Sequence, residues 1–220
     1  MGSPVPCGRD RQILALWERG AGLGRWARDE ALLAAVGPTP SALGARNAML
    51  LDLRGSLFDR RWPLRSRCPA CGTDCEFEAD AVALAEELDA LAGSSRSMRV
   101  DVSGRSIELR APTADDLRLI AALPDAQTAA RALLATCASG EIATDVLDEH
   151  NAARLEACLE GLDPGAVVSF ALHCPDCGDE WSSVVDIGEA LWSELQRAAE
   201  QSLIEVDALA RAYGWTEAEV

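Results

Sequence analysis

A chain of 220 residues, 49% of them apolar and 25% charged, has the length for one domain, or one domain carrying an insertion, and enough apolar side chains for a sizeable core. Its net charge of −16 opposes nucleic acid and anionic membrane surfaces, and no apolar stretch approaches the roughly 20 residues that span a bilayer. The charge is uneven: arginines outnumber acids as far as Arg67, acids dominate from Cys68 onward, and every basic residue counted is arginine. The opening MGSPVPCGRD lacks the basic and apolar regions of a signal peptide, and Pro6 stands where a myristoylation motif requires Ser or Thr. A soluble cytoplasmic protein is the default, and there eight cysteines read as metal ligands and buried thiols rather than as a disulfide framework.

Three helices are predicted in the first sixty residues. DRQILALWERG ends at Gly20 and RWARDEALLAAVGP ends at Gly37, both read as left-handed glycine stops, and SALGARNAMLLDLRGSLF follows a candidate cap at Ser41. The connector RGAGLGRW is not a phosphate loop, because it follows no strand and has Arg25 in place of the third glycine. CEFEADA alternates as a short strand, AVALAEELDALAG is a helix closed by Gly93, and MRVDVSGRSIELRAPT gives a β-hairpin about Ser-Gly-Arg. Thr113 caps a helix whose first turn carries Asp115 and Asp116, and two or three helices run on to about Leu162. AVVSFALHCPDCGDEWSSVVDI is the clearest hairpin. Asp186 and Glu189 then form a capping box before a long helix with Leu191, Leu195, Ala198, Val206, Leu209 and Tyr213 on one face, stopped by Gly214. Thr216 and Glu219 announce one more helix as the chain ends.

The chemistry lies in two stretches of the form C-P-x-C-G, at Cys68 and Cys71 and again at Cys174 and Cys177. Two residues between the sulfurs let both reach one ion, the proline pre-sets the turn, and Gly72 and Gly178 take a positive φ that a side chain resists. Together they form a zinc-ribbon site whose second half arrives about a hundred residues late, so the segment between them is an insertion. Four thiolates close a tetrahedral ion and leave no position for a reacting water, which makes the site structural. A redox dithiol is disfavoured because neither C-x-x-C opens a helix, and a deaminase lacks its H-x-E motif near His150 or His173. Cys75 is within reach as a competing ligand but reads as a packed thiol, Cys137 and Cys158 read as core, and Cys7 as an unpaired thiol near the terminus. No Ser or Cys stands in a nucleophile motif, and the Asp115/Asp116 pair reads as a solvated helix start, so no catalytic residues are predicted.

The expected fold is α+β, mainly helical, with a discontinuous zinc-ribbon β-hairpin module built on the two CPxCG knuckles. Its segments are a helical region over 1–64, the first knuckle and a hairpin over 65–112, a helical insertion over 113–162, the second knuckle hairpin over 163–187, and a C-terminal helix over 188–220.

LRGSLFDRRWPLRSRCPACG, IELRAPTADDL, CPDCGDEW and LWSELQRAAEQSLIEVDALARAYGWTEAEV, in that order, resemble baseplate proteins of contractile tails. The type is the hub-assembly protein or assembly chaperone of contractile-tailed phages and extracellular contractile injection systems. The resemblance implies a non-enzymatic role: binding other baseplate, tail or hub proteins in a bacterial cytoplasm, with incorporation into the finished particle left open. It carries Cys68, Cys71, Cys174 and Cys177 over as a metal site holding one structural zinc. Such proteins continue past the YGWTE element into an Arg-containing helix, whereas Val220 follows here, so a contact made by that helix is in doubt. The other reading is a zinc-ribbon nucleic-acid-binding regulator that uses Arg54, Arg60, Arg61, Arg65 and Arg67 on phosphates. The net charge argues against it, and those arginines equally suit pairing with the acidic half of the chain.

Overall fold

The computed structural model describes residues 7–91, 96–102, 104–139 and 149–214. The fold is α+β, with small antiparallel sheets set among helices.

The chain opens with α1 (Cys7–Gly20), α2 (Arg25–Val36) and α3 (Leu43–Leu57). The predicted glycine stops work differently from the expectation. Gly20 is still helical and is small because the Trp192 ring lies where its Cβ would be, at 2.4 Å, while Gly22 makes the turn at φ 76. Gly37 is extended at φ 172. The cap of α3 also differs: Ala42 holds the cap position, and the carboxylate of Asp163 accepts from the amides of Leu43 (2.8 Å) and Gly44 (3.1 Å). A residue about 120 positions away thereby supplies the acceptor that the sequence assigned to Ser41. Gly44 must be glycine for this, since a Cβ there would lie 2.5 Å from Asp163 and 2.9 Å from the Gly165 backbone.

Strand β1 (Arg61–Arg67) begins inside the segment expected to be helical and pairs antiparallel with β2 (Asp74–Asp80), Leu64 opposite Phe77. Trp62 and Leu64 point inward and alternate with exposed Arg61, Pro63 and Arg65. Pro63 is tolerated because a two-stranded sheet leaves each strand one free edge. Next comes α4 (Ala81–Leu91), which packs on α3; its predicted stop at Gly93 lies outside the described residues.

The insertion has its own core. Strands β3 (Ser97–Val102) and β4 (Arg105–Arg110) turn at Gly104 (φ 77), then follow α5 (Ala114–Ile120), α6 (Ala126–Cys137), β5 (Ala138–Ser139) and α7 (Glu149–Leu162). Val102, Ile107, Leu109, Leu134, Cys137 and Leu155 bury one another there. The β3–β4 hairpin thus shares its core with the helices of 113–162, whereas β1, β2 and α4 belong with the N-terminal helices. Thr113 caps α5 in a reciprocal capping box with Asp116, whose carboxylate also grips the Arg110 guanidinium at 2.7 and 2.9 Å. Those bonds hold the Asp116 carboxyl far below the ordinary carboxylate range.

A 3-10 turn (Pro164–Ala166) returns the chain to the main body as β6 (Val168–His173), β7 (Glu180–Val185) and α8 (Ile187–Tyr213). Asp186 caps α8 by accepting from the Glu189 amide and pairs with Arg25, while the Glu189 carboxylate pairs with Arg28. At 27 residues, about 40 Å, α8 is the longest helix among the described residues. Leu191, Trp192, Leu195 and Ala199 are buried with Ile13, Leu16, Leu32, Leu51, Leu57 and Trp62. The expected apolar face continues past this core but is uncovered, with Val206, Leu209 and Tyr213 exposed; Leu203 and Ile204 are exposed as well, Ile204 on the opposite side of the helix, and Gly214 (φ 68) ends the helix in the left-handed conformation.

Two buried charges have opposite standing in this core. Arg54, 2% exposed, donates to Glu194 of α8 and to the carbonyls of Asp59 and Arg61, between the Trp62 and Phe58 rings. Asp29 of α2, 8% exposed, lies against Gly188 with Oδ1 unbonded, and burial, then Asp186, pushes its pKa up to about 6 despite Arg25, Arg28 and Arg46. Arg54→Ala is expected to remove about 3 kcal/mol by stranding Glu194 and two carbonyls, read as a fall of about 6–12 °C in Tm. For Asp29 the folded pKa lies above the ordinary 3.8, so its contribution to stability falls as pH rises through that interval and stays unfavourable above about 6. Asp29→Asn should therefore melt higher than the parent protein at about pH 8, with the difference closing toward about pH 4 in parallel thermal scans.

Candidate metal centre

Each knuckle is the turn of a hairpin, and the two turns are built alike. In the first, the Cys68 amide donates to the Thr73 carbonyl (2.9 Å) and the Gly72 amide to the Cys68 carbonyl (2.9 Å). In the second, the Cys174 amide donates to Asp179 (2.8 Å) and the Gly178 amide to Cys174 (3.0 Å). Gly72 and Gly178 sit at φ 80 and 77, the conformation expected of them.

The hairpins bring Cys68, Cys71, Cys174 and Cys177 together, all four Sγ atoms lying within 4.8 Å of one another. Cys71 and Cys174 are 3.5 Å apart and Cys68 and Cys177 3.7 Å apart, crossing from one knuckle to the other. A tetrahedral ion with metal–sulfur bonds of about 2.3 Å spaces its sulfurs about 3.8 Å apart, so the four match the donor set of one metal ion. Cys68 and Cys174 are buried, whereas Cys71 and Cys177 face outward.

Amides already aim at these sulfurs. Hydrogen bonding with the Thr73 side chain, then with its backbone, draws the Cys71 thiol down to about 6. At Cys177 the Asp179 amide also favours the thiolate, but the neighbouring sulfurs and burial prevail and hold the thiol up at about 12. Four crowded thiols cannot all ionise unaided, and a cation held among them would supply the missing charge.

Bonds outside the sulfurs align the hairpins. Ser66 accepts from Trp181 Nε1 (3.3 Å) and from the Ser183 hydroxyl (2.8 Å), and Thr73 donates to Asp176 (2.7 Å). Phe77 and Phe170 meet at 5.2 Å between ring centroids. Sequence reading missed Ser66, Trp181 and Ser183; their signal was the alternation of each strand, which turns these side chains toward whatever faces the sheet.

The other expected residues fall into place around this centre. Cys75 is buried beside Cys68, Cys174 and Trp181 and lies outside the set of four; its thiol donates to the Thr73 carbonyl at 3.8 Å, as a packed thiol would. Cys137 is buried in the core of the insertion and Cys158 packs against it, while the side chain of Cys7 lies outside the described residues. His173 faces Glu180 across its hairpin, on the exposed surface.

The arginine run is not an open basic face. Arg54 is buried on Glu194, Arg60 pairs with Asp80 (2.5 Å), Arg61 with Glu78 (2.6 Å), Arg65 with Glu76 (2.7 Å), and Arg67 donates to the Gly72 carbonyl (2.9 Å). Apart from Glu194, the acids come from the adjacent strand β2 and not from the C-terminal half. The alternation D-x-E-x-E-x-D opposite R-x-x-x-R was the legible sign of that ladder.

No family model, no curated protein and no solved structure matches the chain.

Elemental analysis of the purified protein should find about one metal ion per chain, and a chelator should lower its Tm. Cys174→Ser is expected to abolish stoichiometric metal and lower Tm sharply, whereas Cys75→Ser should keep the full metal content. Loss of metal in Cys75→Ser would place Cys75 in the ligand set.

Proposed function

We propose that this protein is a non-enzymatic structural or assembly factor of a contractile tail-like particle, held in shape by a structural zinc ion on Cys68, Cys71, Cys174 and Cys177. The observation that carries this reading is the closed four-sulfur centre. It joins the hairpin after the N-terminal helices to the hairpin that launches α8, so its work is cross-linking. Four thiolates in paired knuckles suit zinc, which is soft enough for sulfur and content with tetrahedral geometry. Support for a protein partner comes from α8, whose distal half exposes Leu203, Ile204, Val206, Leu209 and Tyr213 along one helix. The particular partners, other baseplate, tail or hub proteins, rest on the resemblance of the knuckle and α8 segments.

The second reading, a zinc-ribbon regulator on nucleic acid, is favoured by the ribbon alone. Four of the five arginines beside the knuckle already have carboxylate partners, and the chain carries −16. Among the described residues no helix is long and apolar enough to cross a membrane.

The bound metal should prove to be zinc. The gene should lie among genes for sheath, tube, spike and baseplate-wedge proteins, and the protein should show no retention on DNA or RNA at low ionic strength. A gene set among ordinary metabolic genes counts against the assembly role, and salt-sensitive retention on nucleic acid would transfer the reading to the regulator.

A further inference from the structure

As far as Ala199, α8 is anchored in the core; from Glu200 to Tyr213, about 20 Å of helix, none of its residues is buried. A helix that only runs out into water needs no apolar face, and one this short is marginal without packing. This stretch keeps an apolar face. At about 100° per residue, Val206, Leu209 and Tyr213 continue the stripe of Leu195 and Ala199, and Leu203 borders it. Leu203 is 45% exposed, Val206 36% and Leu209 46%, so the stripe is open along its length.

The charges beside the stripe have one sign. Glu205 and Asp207 stand about 100° to either side of Val206, and Glu200 lies on the Asp207 side. Glu200 and Glu205 have no cation among the described residues, and accept there from the amides of Gln196 (2.9 Å) and Gln201 (2.8 Å). Arg197 and Arg211 lie toward the opposite side of the helix, where Arg211 pairs with Asp207 at 2.8 Å.

Two acidic edges select what can cover the stripe. A second copy would set its own acidic edges against these, whether parallel or antiparallel. The chain's flanking segments, MGSPVP and WTEAEV, hold no basic residue to answer them. Nucleic acid and anionic membrane are repelled outright.

We propose that the distal half of α8 receives a basic amphipathic helix of another protein. Its apolar stripe packs on Val206, Leu209 and Tyr213, and arginines or lysines at its edges meet Glu200, Glu205 and Asp207. The inference rests on α8 as the partner-bearing element of the assembly role, and adds the chemistry of the partner.

The test uses the full-length, metal-loaded protein. A fluorescent stapled helix of about four turns, with leucines in one stripe and arginines at its edges, is titrated by anisotropy. Its counterpart carries glutamates in place of the arginines. The arginine helix is expected to bind saturably, at least tenfold more tightly than the glutamate helix, and more weakly as salt rises. Leu209→Asp should weaken that binding at least tenfold, and Glu205→Arg with Asp207→Arg should turn the preference to the glutamate helix. These positions are exposed, and unchanged metal content and Tm show that the variants fold. Equal binding of the two helices, saturation by neither, or unchanged binding in Leu209→Asp overturns the proposal. A dimer of the protein alone that Leu209→Asp dissociates overturns it in favour of a second copy. Binding to phosphatidylcholine vesicles that Leu209→Asp abolishes overturns it in favour of a membrane. Gene neighbourhood judges the assembly role without reference to this helix, so that role and the partner's chemistry fail separately.

Discussion

Two short hairpins, neither able to hold its shape alone in water, meet at four sulfur atoms, and the path of the rest of the chain depends on that meeting. Cys71 and Cys174 are separated by 103 residues and sit 3.5 Å apart. After α4 the chain leaves the main body, and it must come back to the same point. The chain does so by folding an insertion with a core of its own, bounded by residues such as Val102, Leu109 and Leu155. Because the sulfurs belong equally to both hairpins, a metal ion there acts on the relation between the chain's two ends more than on either knuckle.

The departure and the return are held by polar contacts as well as by sulfur. Asp163, the last residue before the 3-10 turn, caps α3 through the amides of Leu43 and Gly44, and Gly44 and Gly165 pack backbone against backbone. Arg54 then binds α3, the start of β1 and α8 into one buried unit. These contacts tie the 3-10 turn, β1 and the first half of α8 to α3, and the distal half of α8 lies beyond them. The assembly role proposed above would use that combination, a body cross-linked by metal and one long helix with exposed apolar side chains such as Leu203, Val206 and Leu209.

Much of this was legible in the residues. The knuckle turns follow from local rules: two residues between sulfurs, proline after the first, and glycine at a positive φ, found at Gly72 and Gly178. The caps at Thr113 and Asp186, the hairpin about Gly104 and the long helix to Gly214 are likewise local, and the structure has them. The errors share one cause. β1 was hidden because Pro63 and the arginines disguise an alternating strand, and the arginine run suited phosphates and remote acids equally because its partners on the neighbouring strand are set by strand pairing. Ser41 looked like a cap because the true acceptor, Asp163, is remote in sequence. Gly20 looked like a turn residue although it serves the packing of Trp192.

The division between sequence and tertiary structure is therefore one of range. By itself the sequence determined the ligand set, the turn geometry that aims it, and the placing of an insertion, because each depends on residue type and spacing within a few positions. Only the tertiary structure decided which arginines are neutralised, that Cys75 stands beside the sulfur cluster without joining it, that Asp29 is buried with one oxygen unbonded, and that the α8 stripe is half covered. Those outcomes depend on what lies opposite a side chain across space, where burial and charge are set by neighbours that no local pattern names.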